Sequence, residues 1–259
     1  MTDRRRTRID HPMLVHEGVG DFVMTQRLYG TADRGVFAGY ERGSDQDVLF
    51  TVNTLPRENA PPPRAHPTRG IARLRYVGPL DWRGVLIEDE PPGEPVGPAR
   101  LPDATAMKYG VELLRILEEA GEPLGGVTAQ LVYADQGSLS GIAPRGQAFI
   151  SSGRPYCYGV PALFSTSYLA PEMLGGYPHD EAADVFAAGV VLSGWLTGDY
   201  PFEGSGDQRI FAVMQNRRTP WRGPSGLASL IDAMLAPDPK ARPRAAEAAR
   251  ALERLTPAR

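Results

Sequence analysis

Lysine is nearly missing from this sequence. Among 28 basic side chains, Lys108 and Lys240 are the only lysines and the other 26 are arginine. No lysine precedes Lys108. Cysteine is reduced to Cys157, which excludes an internal disulfide and any zinc site built from several thiolates. His11, His16, His66 and His179 are scattered without ligand spacing, so no metal site is expected. An apolar run of the roughly 18–20 residues that a spanning helix needs is absent. A basic excess is absent too. With 28 basic against 31 acidic residues, a dedicated nucleic-acid binder is not expected. Met1 to Asp10 lacks the apolar core of a secretory signal, and a cytoplasmic protein is expected.

What is present is an ordinary globular composition. Hydrophobic residues make up 42% and charged residues 23% of 259, enough for one large or two small domains. The richness in Ala, Arg, Gly and Pro fits bacterial-type, GC-rich coding. Arg4, Arg5, Arg6 and Arg8 predict a solvent-facing tail over residues 1–20, since short charge runs usually face water. Thr7 lies inside it and is a candidate phosphorylation site on its neighbours alone.

From Phe22 to about Leu55, β-branched and aromatic runs alternate with Gly and Asp turns. This predicts an antiparallel meander. Pro56, Pro61, Pro62, Pro63 and Pro67 exclude a regular helix, because an interior proline costs about 3 kcal/mol. Strand patterns resume over 71–77 and 84–88. Five prolines between Asp89 and Pro102 predict a hinge or linker. Then the period becomes helical: Ala106, Tyr109, Leu113, Leu114 and Leu117 share a stripe, with Asp103 as N-cap and Gly121 as the stop. Apolar runs at 127–133 and 139–142 flank Asp135-Gln136-Gly137, a hairpin turn. Helices are predicted at about 183–197, 206–215, 226–235 and 243–255.

Four elements follow in order between Ser167 and Pro243: Ala170-Pro171-Glu172, Asp184-Val185-Phe186-Ala187-Ala188-Gly189, Leu196-Thr197-Gly198, and Arg242-Pro243. In order and spacing they resemble the larger lobe of eukaryotic-like Ser/Thr protein kinases. The first half resembles the family more sparsely. Gly30 to Phe37 is similar to the glycine-rich loop, with Ala32 in place of the middle glycine. Val48 to Thr51 and Val85 to Glu88 match strands of the smaller lobe. The resemblance implies an α+β bilobal fold. The N-lobe would span 21–90 with a reduced or missing regulatory helix, the Pro-rich hinge 91–102, and the helical C-lobe 103–259. It further implies an ion pair between Glu172 and Arg242, and Asp184 bonded to the backbone of the catalytic-type loop.

The family moves a phosphoryl group by positioning it and neutralising its charge, with one lysine, one glutamate, two aspartates and an asparagine. The resemblance puts Thr51 at the phosphate-binding lysine position, Gly126 at the base aspartate, Thr128 at the catalytic-loop lysine, Leu131 at the asparagine and Ala143 near the second aspartate, the one that binds metal. Counting agrees. Glu58 is the only glutamate between Val52 and Ile87, and no asparagine lies between Asn59 and Asn216. Asp135 is read as the hairpin turn rather than a metal ligand. Mg-ATP binding is therefore expected to be weak or absent, with no cofactor. Gly30, Gly35, Leu49, Ile87 and Glu88 are candidate cleft residues for a metal-free nucleotide or another flat ligand. The chain is expected to be no enzyme but a pseudokinase, a signalling scaffold or regulator. Its expected partner is an active Ser/Thr kinase or its substrate. The expected surface is the C-lobe or the loop 147–167, with Phe149, Tyr156, Tyr158 and Phe164, where Ser165, Thr166 and Ser167 are candidate phosphorylation sites. The alternative is an atypical Ser/Thr kinase or other nucleotide-dependent transferase using the cleft with non-standard residues.

Overall fold

A computed structural model describes residues 14–15, 22–30, 35–44, 46–53, 69–80, 83–125, 127–143, 168–175, 180–205 and 207–256. Thr7 and its arginines, the Pro-rich segment with Glu58, Gly126, Cys157 and the loop 147–167 lie outside the described residues.

The first half is one antiparallel sheet. Strands β1 (Leu14–Val15), β2 (Phe22–Gly30), β3 (Gly35–Glu41), β4 (Asp47–Asn53), β5 (Leu74–Leu80) and β6 (Arg83–Asp89) run in the order β1-β2-β3-β4-β6-β5. The side-chain period of two divides the sheet into faces. Phe22, Met24, Phe37, Val48, Phe50, Val52, Val85 and Ile87 form one buried cluster, in which Phe22 meets Phe50 edge-on at 6.4 Å. Leu49 belongs to a second cluster with Ala72, Tyr133 and Ala143, so it points the other way, toward the second half. Arg75 clips the sheet edge, bridging Glu41 at 2.8 Å and Asp89 at 3.0 Å.

The proline-rich stretch after β6 is not a loose linker. Strand β7 (Glu94–Pro95) pairs with β8 (Val132–Asp135), which pairs with β9 (Ser138–Ile142). The Val96 and Gly97 amides donate to the Val132 and Ala129 carbonyls, and the Leu101 amide to the Trp195 carbonyl. The indole N–H of buried Trp195 donates to the Gly97 carbonyl at 2.9 Å. The β8–β9 turn is the expected one. Gln136 and Gly137 both take positive φ, 49° and 82°, as a two-residue hairpin of primed type requires.

Helix α1 (Asp103–Ala120) braces that hairpin. The Lys108 ammonium donates to the Gly137 carbonyl at 2.6 Å, and Glu112 accepts from the Leu139 amide at 2.7 Å. The N-cap is Pro102 rather than Asp103. Asp103 instead opens the helix, where its charge favours the positive end of the helix dipole. Gly121 ends α1 in the left-handed conformation, φ 63°. Gly110 permits close packing, since a Cβ there would lie 2.8 Å from Leu252 and 2.9 Å from Leu192. The remaining helices are α2 (Pro171–Leu174), α3 (Glu181–Thr197), α4 (Asp207–Met214), α5 (Ala228–Met234) and α6 (Ala245–Leu255). Helix α3 is apolar on all sides and buried almost throughout, the pattern of a central core helix. Asp180 caps it, accepting from the Ala183 amide at 3.0 Å. Among the described residues, no helix is long and apolar enough to cross a membrane.

Candidate functional site

Two places hold the residues singled out by the sequence: a braced ionic centre in the helical half and the cleft between the halves. The ionic centre begins with Pro171. Proline suits the first turn of α2, where its missing N–H would have no helical partner anyway. The next residue, Glu172, is thereby turned toward Arg242, which follows a 3-10 turn capped by Asp238. The Arg242 side chain is 0% exposed and that of Glu172 is 11% exposed. Guanidinium has five N–H donors, and five acceptors surround it. Both Glu172 oxygens accept, at 2.6 and 2.8 Å, in the paired geometry that suits a planar fork. The carbonyls of Ala236, Ala182 and Pro237 take the other donors at 2.8, 3.0 and 3.2 Å. The ring of Phe186 lies 5.0 Å below the cation.

Asp184 sits one turn into α3 and is buried. Its two oxygens accept from the Leu124 amide at 2.6 Å and the Gly125 amide at 3.0 Å. Glu172 and Asp184 thus both use their oxygens on structural donors. They hold the loop and the α2 corner in place. Tyr168 packs edge-on to Tyr200 at 5.5 Å, and burial, reinforced by Tyr200, pushes its phenol well above the ordinary range.

The cleft is less polar than the residues cited for it would suggest. Thr51 is buried and register-paired with Val36 and Leu86. Its hydroxyl has no hydrogen-bond partner among the described residues. A buried hydroxyl left unpaired costs about 1–3 kcal/mol. Thr51→Val keeps the branched shape and removes the hydroxyl. It is expected to raise unfolding stability by about 1 kcal/mol, read by urea titration. Leu49 and Glu88 are cross-strand partners, both buried, and project from the same face of the sheet. Ile87 does not join them. It pairs with Phe50 and packs in the opposite cluster, so it does not line the cleft. Gly30 and Gly35 pair with each other where β2 turns into β3. On the other wall, Thr128, Leu131 and Ala143 are all buried. The Leu131 amide donates to the Thr128 carbonyl and the Ala143 amide to the Leu131 carbonyl. Gly126 lies outside the described residues.

Tyr133 is the residue that sequence reasoning missed. It lies at the end of an apolar run, and only its alternation with Val132 on a short strand would have signalled which way it points. It is 1% exposed and packs with Leu49, Ala72 and Ala143, across the cleft.

A sheet lobe set against a helical lobe, with a buried Glu172–Arg242 pair and a loop held by Asp184, defines the bilobal α+β fold of protein kinases. Comparison with known proteins agrees. Residues 160–252 match the protein kinase domain family. A 63-residue stretch is 46% identical to serine/threonine-protein kinase greatwall of Danio rerio, covering 24% of this chain and 7% of that protein. A 90-residue stretch is 40% identical to the probable serine/threonine-protein kinase pkgA of Dictyostelium discoideum, covering 33% and 6%. A 77-residue stretch is 38% identical to Aurora/IPL1-related protein kinase 2 of Caenorhabditis elegans, covering 29% and 25%. Each match spans a quarter or less of the relative's length. Residues 160–252 are thus similar to the kinase domain of Ser/Thr protein kinases. The expectation that the chain is no enzyme is corrected by these matches, because the relatives are named Ser/Thr protein kinases and the matching family is their kinase domain.

Proposed function

We propose that the chain serves Ser/Thr-kinase signalling by holding a protein on its C-lobe, the partner being an active Ser/Thr kinase or a substrate of one. The observation that supports this reading is a contrast within the C-lobe. Its bracing charges are fully bonded, while α4 leaves Phe211 62% exposed and Met214 beside it also exposed. Residues three apart share a helix face, and exposed aromatic and Met side chains are typical anchors of protein interfaces. Wild type and Phe211→Asp are compared as affinity baits, and the captured material is assayed for Ser/Thr phosphorylation with labelled ATP. The bait alone serves as control. Kinase activity or a kinase substrate is expected on wild type, with at least a tenfold loss on Phe211→Asp. Equal capture by both baits counts against the reading.

The names of the relatives favour a second reading, in which this chain transfers phosphate itself with residues other than the family's usual set. A metal-dependent rise in melting temperature with ATP, together with label transfer by the purified chain, supports it.

A further inference from the structure

Tyr133 is the largest side chain of a buried cluster that joins the two halves. Leu49 reaches down from β4, Ala72 from the segment before β5, and Ala143 follows β9; Tyr133 on β8 joins all three in a single buried cluster. Val132, its neighbour, packs into the C-lobe core, so the alternation of β8 turns the Tyr133 ring toward the N-lobe. Side chains in contact have heavy atoms within about 4.0–4.5 Å. A flat ring held between two walls needs about 7–8 Å, two separations of 3.5–4.0 Å. Leu49 and Tyr133 share one buried cluster at 0% and 1% exposure, so no open space of that width lies against either.

Backbone bonds hold the cluster closed. The Ala72 amide donates to the Ile142 carbonyl at 2.8 Å, and the Ile142 amide donates to the Gly70 carbonyl at 2.8 Å. Ile71 and Ile142 form a parallel bridge between the halves. Gly141, the partner of Tyr133 across the hairpin, makes this approach possible, since a Cβ there would lie 3.2 Å from the Gly70 carbonyl oxygen.

We infer that Tyr133 is the resident of the inter-lobe cleft. Its ring takes the place of a flat heteroaromatic ligand and sets what the cleft admits. A ligand that enters must displace the phenol or find it removed. Truncation leaves an apolar void bounded by Leu49, Ala72 and Ala143, and apolar voids of this kind take up flat rings. This inference is independent of the protein-binding reading, whose surface is on α4.

The test uses adenosine, which carries a purine but no phosphate and needs no metal. Binding is measured by calorimetry on wild type, Tyr133→Phe and Tyr133→Ala. Tyr133→Ala is expected to bind at least tenfold more tightly than wild type. Tyr133→Phe keeps the ring and is expected to match wild type. Should Tyr133→Ala fail to fold, Tyr133→Leu replaces it, with the same tenfold gain expected. Wild type binding within threefold of the truncated variant overturns the inference. So does Tyr133→Phe gaining as much as the truncation, or a folded truncation that gains nothing.

Discussion

Arg242→Ala is expected to lower the unfolding free energy by about 3–5 kcal/mol, the range for removing one partner of a buried ion pair. The size follows from what is left behind. Glu172 keeps its charge with little access to water, and the carbonyls of Ala236, Ala182 and Pro237 lose their donor at once. The face of Phe186 loses the cation above it. A domain is stable by about 5–15 kcal/mol in total, so the variant loses a large share of its margin. Urea unfolding followed by circular dichroism measures the difference. Glu172→Gln gives the finer test. It preserves one carbonyl acceptor and removes the charge, so it is expected to cost less than Arg242→Ala. Combining the two changes should cost less than their sum, because both act on one contact. A loss below about 1 kcal/mol for Arg242→Ala would mean that the pair is dispensable.

The C-lobe was the legible half, and the reason is physical. Helices α1 and α6 carry a 3.6 period, and chemical stops bound the elements: Asp180 and Gly198 bracket α3, and Gly121 ends α1 with a positive φ that only glycine adopts freely. The predicted span 183–197 is observed as Glu181–Thr197, and Asp135-Gln136-Gly137 makes its turn. The cleft was hidden for a different reason. Ile87 and Leu49 were both apolar strand residues, and their composition does not reveal which face each takes. Register decides it, and a shift of one residue reverses every side chain. Tyr133 was hidden because the run 127–133 is a 3-10 turn followed by a strand, and neither period fits it alone. The segment 91–102, expected as a Pro-rich hinge or linker, is bonded to the second half through Val96, Gly97 and Leu101, because prolines are visible in a sequence and backbone bonds are not.

The ionic centre and the cleft are connected through the loop after α1. Leu124 and Val127 belong to the C-lobe core, and Leu131 leads directly into the strand that carries Tyr133. Within the loop the Leu131 amide donates to the Thr128 carbonyl. Asp184 holds the loop from outside, accepting from the Leu124 and Gly125 amides. That dependence sets the second large effect.

Asp184→Ala is expected to cost about 2–4 kcal/mol, because two backbone amides lose a charged acceptor and the Leu124 amide is buried away from water. Asp184→Asn retains one carbonyl oxygen but brings an NH2 group against an N–H. It should therefore fall between wild type and alanine. Denaturant titration gives the order, and amide hydrogen exchange locates it. Protection at Leu124 and Gly125 should fall in Asp184→Asn before global stability does, because the bonds at those two amides are the ones removed. Equal stability of Asp184→Asn and wild type, with unchanged protection at both amides, would show that packing alone holds the loop. The loop precedes β8, so the same loosening should reach Tyr133. Asp184→Asn is then expected to bind adenosine more tightly than wild type but less tightly than Tyr133→Ala, since the ring is still present and only its support is weakened.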